Sequence, residues 1–364
     1  MNSILPHSQQ PRIGVMLVNL GTPAAPEAAA IRRYLKQFLS DPRVVELPRW
    51  LWKPILHGFI LPFRPRKLVE AYSKVWGEDG SPLLSISKQQ VEALQAALGE
   101  TVVVDLAMTY GEPSVQSSLE RLQALGAQKI LFLPMYPQYS GTTTAAAFDA
   151  LAVAMRKQRW IPEIRTINCY HDHDRYIEAL ADSVNEHWQA KGRADHFLIS
   201  FHSIPRKYLE MGDPYYCQCQ KTARLLADKL KLGSADFSVS FQSRLGRQPW
   251  LQPYTDLVIP QLAAKGNKRL DVICPGFSVD CLETLEEVAI RYSEAFSGAG
   301  GEELRYIPAL NAGAAHIQML KELTLKHLHQ WQAEETTADE LKRRQIQVDA
   351  FKPTLNSPTL MPEA

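Results

Sequence analysis

Apolar runs of about 4–8 residues, each closed by turn formers, alternate along the chain with segments whose apolar positions return every third or fourth residue. Eight such runs stand out: 13–19, 102–108, 129–134 and 163–168, then 196–201, 237–241, 270–274 and 304–307. Nearly continuous apolar runs joined by helix-length crossovers are the pattern of parallel strands buried on both faces. The third and fourth runs of each half are separated by about 33 residues. Both fourth runs lead into similar helical segments, HDRYIEAL and AAHIQML. The pattern predicts an α/β protein of two duplicated domains, each a four-stranded parallel sheet flanked by helices. The first half carries about 45 extra residues between its first two strands, enough for helices of its own. The expected domains are 11–170, with an apolar lip insertion at about 40–85, and 171–331, whose last helix is a candidate for packing back on the first domain. A polar tail follows at 332–364, where the charged stretch ETTADELKRRQ predicts a helical extension that passes into disorder.

Composition narrows the function classes. At 364 residues the chain has room for about two domains. Hydrophobic residues make up 45% and charged residues 22%, the balance of a folded globular protein. Forty Lys and Arg against 39 Asp and Glu leave a net charge of +1, so no basic field gathers nucleic acid, and none is expected as a partner. The five cysteines, Cys169, Cys217, Cys219, Cys274 and Cys281, are odd in number and contain no CxxC, which fits neither a disulfide scaffold nor a zinc ribbon. A reducing cytoplasm is the expected location. Residues 1–11 lack the basic and apolar regions of a secretory signal. The most apolar segment, 47–63 (LPRWLWKPILHGFILPF), is interrupted by Lys53, Pro54, His57 and Pro62 and is shorter than the roughly 20 residues of a spanning helix. Its Trp50, Trp52 and Phe59 suit the core, an apolar ligand or peripheral contact with a membrane surface, core packing being the commonest use.

Two such sheets place a ligand at the strand carboxyl ends, in the crevice between domains. Neither GxGxxG nor GxxxxGK[ST] occurs there, which removes the dinucleotide and nucleotide readings. His202 closes a strong strand, where an imidazole can take a proton or bind a metal, or simply rest in a hydrogen bond. Asp280 and Glu283 have the spacing of a capping box, which would account for both acids structurally; yet Glu283 and Glu287 fall on one helical face with Glu286 beside them, at a crevice mouth. Cys217 and Cys219 form a CxC with no neighbouring Cys or His, a pattern better read as half-buried thiols than as a metal site. His171 and His173 are expected in a solvated helix entry capped by Asp174.

Taken together, FHSIP, GDPYY, YPQYSGTTT, QSRLGRQPWLQPYTD and CPGFSVDCLETLEE occur in an order that resembles the ferrochelatases, bacterial type, from about residue 14 to 311. The resemblance implies a chelatase-like fold and insertion of Fe(II) into protoporphyrin IX, the terminal step of haem synthesis. It places His202 and Glu283 at the macrocycle centre as catalytic and metal-contacting residues, and Tyr136, Tyr139, Trp250, Phe277 and Asp280 in the substrate pocket. Three positions depart from the family pattern: Cys281 where many members have histidine, Thr109 where many have a cation, and Arg291, which interrupts the acidic row after Glu287. Metal entry needs a bent ring and the loss of two pyrrole protons, which suits a rigid cleft and a neutral imidazole of ordinary pKa about 6.5. Glu283 would relay the proton or help strip water from the metal. The rival readings are a related chelatase that inserts cobalt or iron into another tetrapyrrole, which would call for a more basic pocket, and a non-catalytic porphyrin or haem carrier. Protoporphyrin IX and Fe(II) are expected as substrates, with no prosthetic group; the oligomeric state is left open. No iron–sulfur cluster is expected, because cluster-bearing relatives place cysteines near the chain end and after YPQYS, whereas here none follows Cys281 and Gly141 follows Ser140.

Overall fold

The computed structural model of the chain describes residues 11–246, 248–331 and 337–355. Expectations for residues 1–10, 332–336 and 356–364, including disorder at the end of the tail, lie outside the described residues. The eight apolar runs are strands: β1 (Arg12–Asn19), β2 (Val102–Met108), β3 (Ala127–Pro134), β4 (Glu163–Thr166), β5 (His196–His202), β6 (Phe237–Gln242), β7 (Arg269–Ile273) and β8 (Glu303–Ile307). Observed and predicted ends agree to about two residues. All pairings are parallel, and the strands form two sheets of four in the orders β2-β1-β3-β4 and β6-β5-β7-β8. The repeated order reproduces the duplication read from the spacing. Val15, Leu17, Leu131, Leu133, Leu198, Ile199, Phe201 and Val272 are fully buried on the central strands, as residues of a sheet covered on both faces must be.

The extra residues of the first half form helices Ala28–Leu39, Arg49–Ile55, Leu61–Val75 and Pro82–Leu98, with a π-helical turn at Leu56–Ile60. Trp52 is an internal peg: it is 8% exposed, packs with Ile31, Tyr34 and Leu35, and donates its indole N–H to the Leu39 carbonyl at 2.6 Å. Trp50 and Phe59 point the other way, 78% and 69% exposed, with Phe63 also open to solvent. The segment thus divides between core and surface, so the expectation of core packing holds for Trp52 and fails for Trp50 and Phe59. Among the described residues no helix is long and apolar enough to cross a membrane.

The helix Ala314–Leu328 lies against helix Pro82–Leu98 and β3. Beyond it, Trp331 donates to Glu163 at 2.8 Å while the Arg165 guanidinium stacks on its ring at 4.2 Å and donates to the His327 carbonyl. The charged stretch after residue 337 forms helix Ala338–Leu355. Where the two halves meet, Gln90 donates to the Asn311 carbonyl at 2.9 Å and to Ser278 Oγ at 3.1 Å, and the buried His316 donates Nδ1–H to the same Asn311 carbonyl at 2.6 Å.

Burial holds His316 neutral, its pKa pushed down to about 4 despite the favourable bond to Asn311. An unfolded histidine titrates near 6.5, so between these values the unfolded chain binds the extra proton and stability falls as pH falls. His316 alone is expected to withdraw on the order of 3 kcal/mol between pH 6.5 and 4. Urea unfolding of the His316→Asn variant, whose amide keeps the donor, is expected to show a flatter loss over that window; an unchanged slope would contradict the assignment.

Candidate functional site

Residues just past the carboxyl ends of the two sheets meet, Gln138 after β3 lying against Gly276 after β7, and the insertion's helix Leu61–Val75 packs on the segment that begins at Glu283. His202 ends β5, and its Nδ1 lies 2.6 Å from the Ser203 carbonyl. A carbonyl only accepts, so Nδ1 carries a hydrogen, and in the neutral ring Nε2 is then the nitrogen with the lone pair. Among the described residues Nε2 has no hydrogen-bond partner, and the ring meets the edge of Phe277 with centroids 6.4 Å apart. Phe277 is half-buried between the two cores of the second sheet.

Glu283 opens a ten-residue π-helix, Glu283–Tyr292. Such i→i+5 segments usually span a single turn and gather at functional sites. The capping box expected here does not form. The Cys281 carbonyl takes the first helical N–H groups, from Thr284 at 3.2 Å and Leu285 at 2.9 Å, while the Asp280 N–H is held by Asn311 Oδ1 at 2.8 Å. Asp280 itself is buried, and its carboxylate accepts from Tyr306 OH (2.6 Å), Asn311 Nδ2 (2.8 Å), Thr284 Oγ1 (3.0 Å) and Ala309 N (3.3 Å). Four internal donors make it a hub that pins the start of the π-helix. Glu283 is left uncapped. Its charge, after burial itself, helps push the Cys281 thiol up and, in the insertion, the phenols of Tyr34 and Tyr72. The carboxylate therefore lies between the second sheet's π-helix and the insertion.

The acidic row beyond Glu283 is closed. Glu287 accepts from Ser243 Oγ at 2.6 Å, Ser243 N at 3.1 Å and Tyr292 OH at 2.7 Å, and Arg291 pairs with Glu286 at 2.8 Å. Arg291 also approaches Glu287 at 3.6 Å, so the interruption seen in the sequence is an internal counter-ion.

The aromatic candidates occupy different layers. Tyr136, just past β3, and Thr109, just past β2, are both buried and adjacent: burial pushes the Tyr136 phenol up, and the neighbouring Thr109 hydroxyl offsets part of that push. Tyr139 is half-buried, its N–H held by Gln218 Oε1 at 2.7 Å. The following Ser140 Oγ and Gly141 N both donate to Asp213, at 2.9 and 2.7 Å, which is why GDPYY and YPQYSG occur together. Trp250 bridges to Pro205 and donates to the Leu245 carbonyl at 2.7 Å, tying the FHSIP turn to the loop after β6.

Cys217 is exposed and Cys219 buried on helix Tyr215–Leu230, and among the described residues no three His, Cys, Asp or Glu side chains gather as a metal site. His171 is buried rather than solvated, and His173, not Asp174, occupies the N-cap position of helix Asp174–Lys191, with Asp174 in the first turn where the dipole favours an acid.

Arg64, on helix Leu61–Val75, did not emerge from the motifs. It is half-buried, makes no hydrogen bond or ion pair among the described residues, and has its pKa lowered by burial alone. Tyr72, beside Glu283, lies eight residues along, about 12 Å up the same helix. The signal was present in LPFRPRK: an arginine in an apolar segment whose neighbours at i±3 and i±4 are Leu61, Lys67, Ile60 and Leu68 has no acid to pair with.

Comparison with known proteins agrees with this geometry. The solved structures of the sirohydrochlorin chelatase SirB from Bacillus subtilis share the fold: the chain matches the cobalt complex from subspecies spizizenii with a TM-score of 0.53 at 9% identity, covering 89% of this chain and 100% of that one. The structure with Fe3+ matches with a TM-score of 0.54 at 10% identity, covering 90% and 100%. Sequence relatives are nearer. The chain is 53% identical over 328 residues to the ferrochelatase of Nitrosococcus oceani, covering 89% of each chain. It is 50% identical over 353 residues to that of Idiomarina loihiensis, covering 94% of this chain and 97% of the relative, and 53% identical over 320 residues to that of Aeromonas hydrophila, covering 87% and 99%. The family model Ferrochelatase matches residues 12–328, and with relatives this similar over nearly their full length the chain belongs to the ferrochelatase family.

Proposed function

We propose that this chain inserts Fe(II) into protoporphyrin IX to form protohaem, with His202 as the acceptor of pyrrole protons. The observation that carries this reading is the His202 ring, whose Nδ1–H is spent on the Ser203 carbonyl while Nε2 is unpartnered among the described residues. In its neutral form an imidazole so held presents Nε2 as the base. Glu283 supplies the second group. An uncapped carboxylate beside the phenols of Tyr34 and Tyr72, which burial keeps protonated, can receive a proton or a water-stripped metal ion without reorganising. Iron is substrate in this reading, and imidazole plus carboxylate suits Fe(II) in passage. Phe277 and the buried Tyr136 would support the ring from the two sheets, so that binding energy from its periphery bends the centre.

Arg64 fits a propionate. A desolvated guanidinium without an acid gains a charge-assisted, bidentate pair from a carboxylate at the porphyrin edge. The exposed Trp50, Phe59 and Phe63 fit peripheral contact with a membrane face from which an apolar substrate would arrive.

In anaerobic assays followed by absorbance, His202→Ala is expected to lose about 10²–10⁴-fold in rate with Fe(II) or Zn(II), at an unchanged thermal midpoint. Near-normal turnover would reject the base. Glu283→Gln is expected to lower the rate by at least about tenfold without destabilising the fold, because no cap depends on it. Arg64→Leu should raise the KM for protoporphyrin IX by about 10–100-fold, and should leave that for the uncharged dimethyl ester unchanged. Equal effects on both porphyrins would remove the propionate assignment. Trp50→Ser with Phe59→Ser is expected to weaken sedimentation with liposomes and spare stability, whereas Trp52→Ser, in the core, should destabilise; retained liposome binding in the double variant would reject the contact.

A further inference from the structure

Gln242, the last residue of β6, is 1% exposed, yet it brings a primary amide into the core of the second sheet. An amide there is costly unless paired. Its partners come from three separate elements. Oε1 accepts from Ser200 Oγ of β5 at 2.7 Å and from Cys274 Sγ, just past β7, at 3.4 Å; Nε2 donates to the backbone carbonyl of Glu283 at 3.0 Å. The last contact fixes which way the amide faces, since a carbonyl can pair only with the NH₂ end. Ser200 Oγ is itself held by Thr255 Oγ1 at 3.0 Å, which meets Ser240 Oγ at 2.8 Å, so the acceptor side rests on a chain of buried hydroxyls.

The main chain of the same residue reaches His202. The two are register partners across β5 and β6, and the Gln242 carbonyl accepts from Ser203 N at 2.8 Å. Ser203 in turn presents the carbonyl that holds His202 Nδ1. One buried residue therefore touches, through one intermediate at most, both the peptide that orients His202 and the peptide that begins the π-helix with Glu283. Immediately after it, Ser243 sits at φ 65° and is fastened to Glu287, which anchors the far side of the same junction.

We propose that Gln242 is a positioning residue that sets the His202 imidazole and the Glu283 carboxylate at their working separation. Its side chain acts through the Glu283 peptide, from a residue whose main chain is already fixed beside His202 by the Ser203 N–H. Packing alone would not call for an amide, because methionine has nearly the same length and fills an apolar core without desolvation cost. The inference rests on the reading of His202 and Glu283 as the reacting pair.

The test is Gln242→Met in the full chain, alone and combined with Glu283→Gln, with anaerobic Fe(II) and Zn(II) insertion into protoporphyrin IX and porphyrin binding measured for each. The expected result is a fall in kcat of about 10–100-fold with the porphyrin KM within about twofold. Once Gln242 is replaced, adding Glu283→Gln should cost less than about threefold, because a carboxylate already out of place has little left to lose. A kcat within about twofold of the parent, or losses that multiply independently, would overturn the proposal. Ser200→Ala, which removes only the donor that steadies Oε1, is expected to give a smaller loss of the same kind with the thermal midpoint retained. Should the methionine variant not fold, a native kcat in Ser200→Ala would overturn it equally. If His202→Ala and Glu283→Gln are themselves silent, the reading of the site falls and this proposal with it; if both are impaired and Gln242→Met is additive, the positioning role alone is rejected.

Discussion

A carbonyl oxygen can accept a hydrogen bond and cannot donate one. At the end of β5 that asymmetry selects the tautomer on which the proposed chemistry depends, because in a neutral His202 ring the Ser203 carbonyl takes the hydrogen on Nδ1 and leaves the lone pair on Nε2. The bond survives only if the chain after the strand is held, and it is held by backbone pairing to Gln242 on one side and to Leu251 beyond Ile204 on the other. The basic nitrogen is thus a product of sheet geometry rather than of a neighbouring acid.

The second sheet also supplies the partner, by a different device. Glu283 stands on a π-helical segment whose start is pinned by Asp280, and Asp280 is pinned in turn by Tyr306 and Asn311. Asn311 meets Gln90 of the first half, so the peptide under Glu283 is braced by residues far apart in the chain. Against it the insertion sets Tyr34 and Tyr72, while its outer face carries the exposed aromatics. The segment that carries Glu283 is therefore bonded into the second sheet on one side and packed against helix Leu61–Val75 of the first half on the other.

Much of this was legible in the chain itself. Parallel strands covered on both faces need continuous apolar runs, and those runs located all eight strands and their duplication. His202 was legible because a strand end is visible as the point where such a run stops. What local spacing could not give was competition from distant partners. Asp280 and Glu283 have capping-box spacing, yet Tyr306, Ala309 and Asn311 claim the aspartate, and nothing near position 280 announces them. Trp50 and Trp52 likewise look alike in sequence, and only the helix phase against Ile31 and Tyr34 sends one inward and the other out. Gln242 and Arg64 were hidden for opposite reasons: the first is defined wholly by long-range bonds, the second by lacking any among the described residues.

The tautomer of His202 is the point on which the account turns, and ¹⁵N NMR of histidine-labelled protein reads it directly, with the signal assigned by its loss in the His202→Ala variant. At pH 8 in the resting protein the account predicts a protonated, pyrrole-type Nδ1 and an unprotonated, pyridine-type Nε2. A hydrogen on Nε2 would leave no lone pair to receive a pyrrole proton and would contradict it.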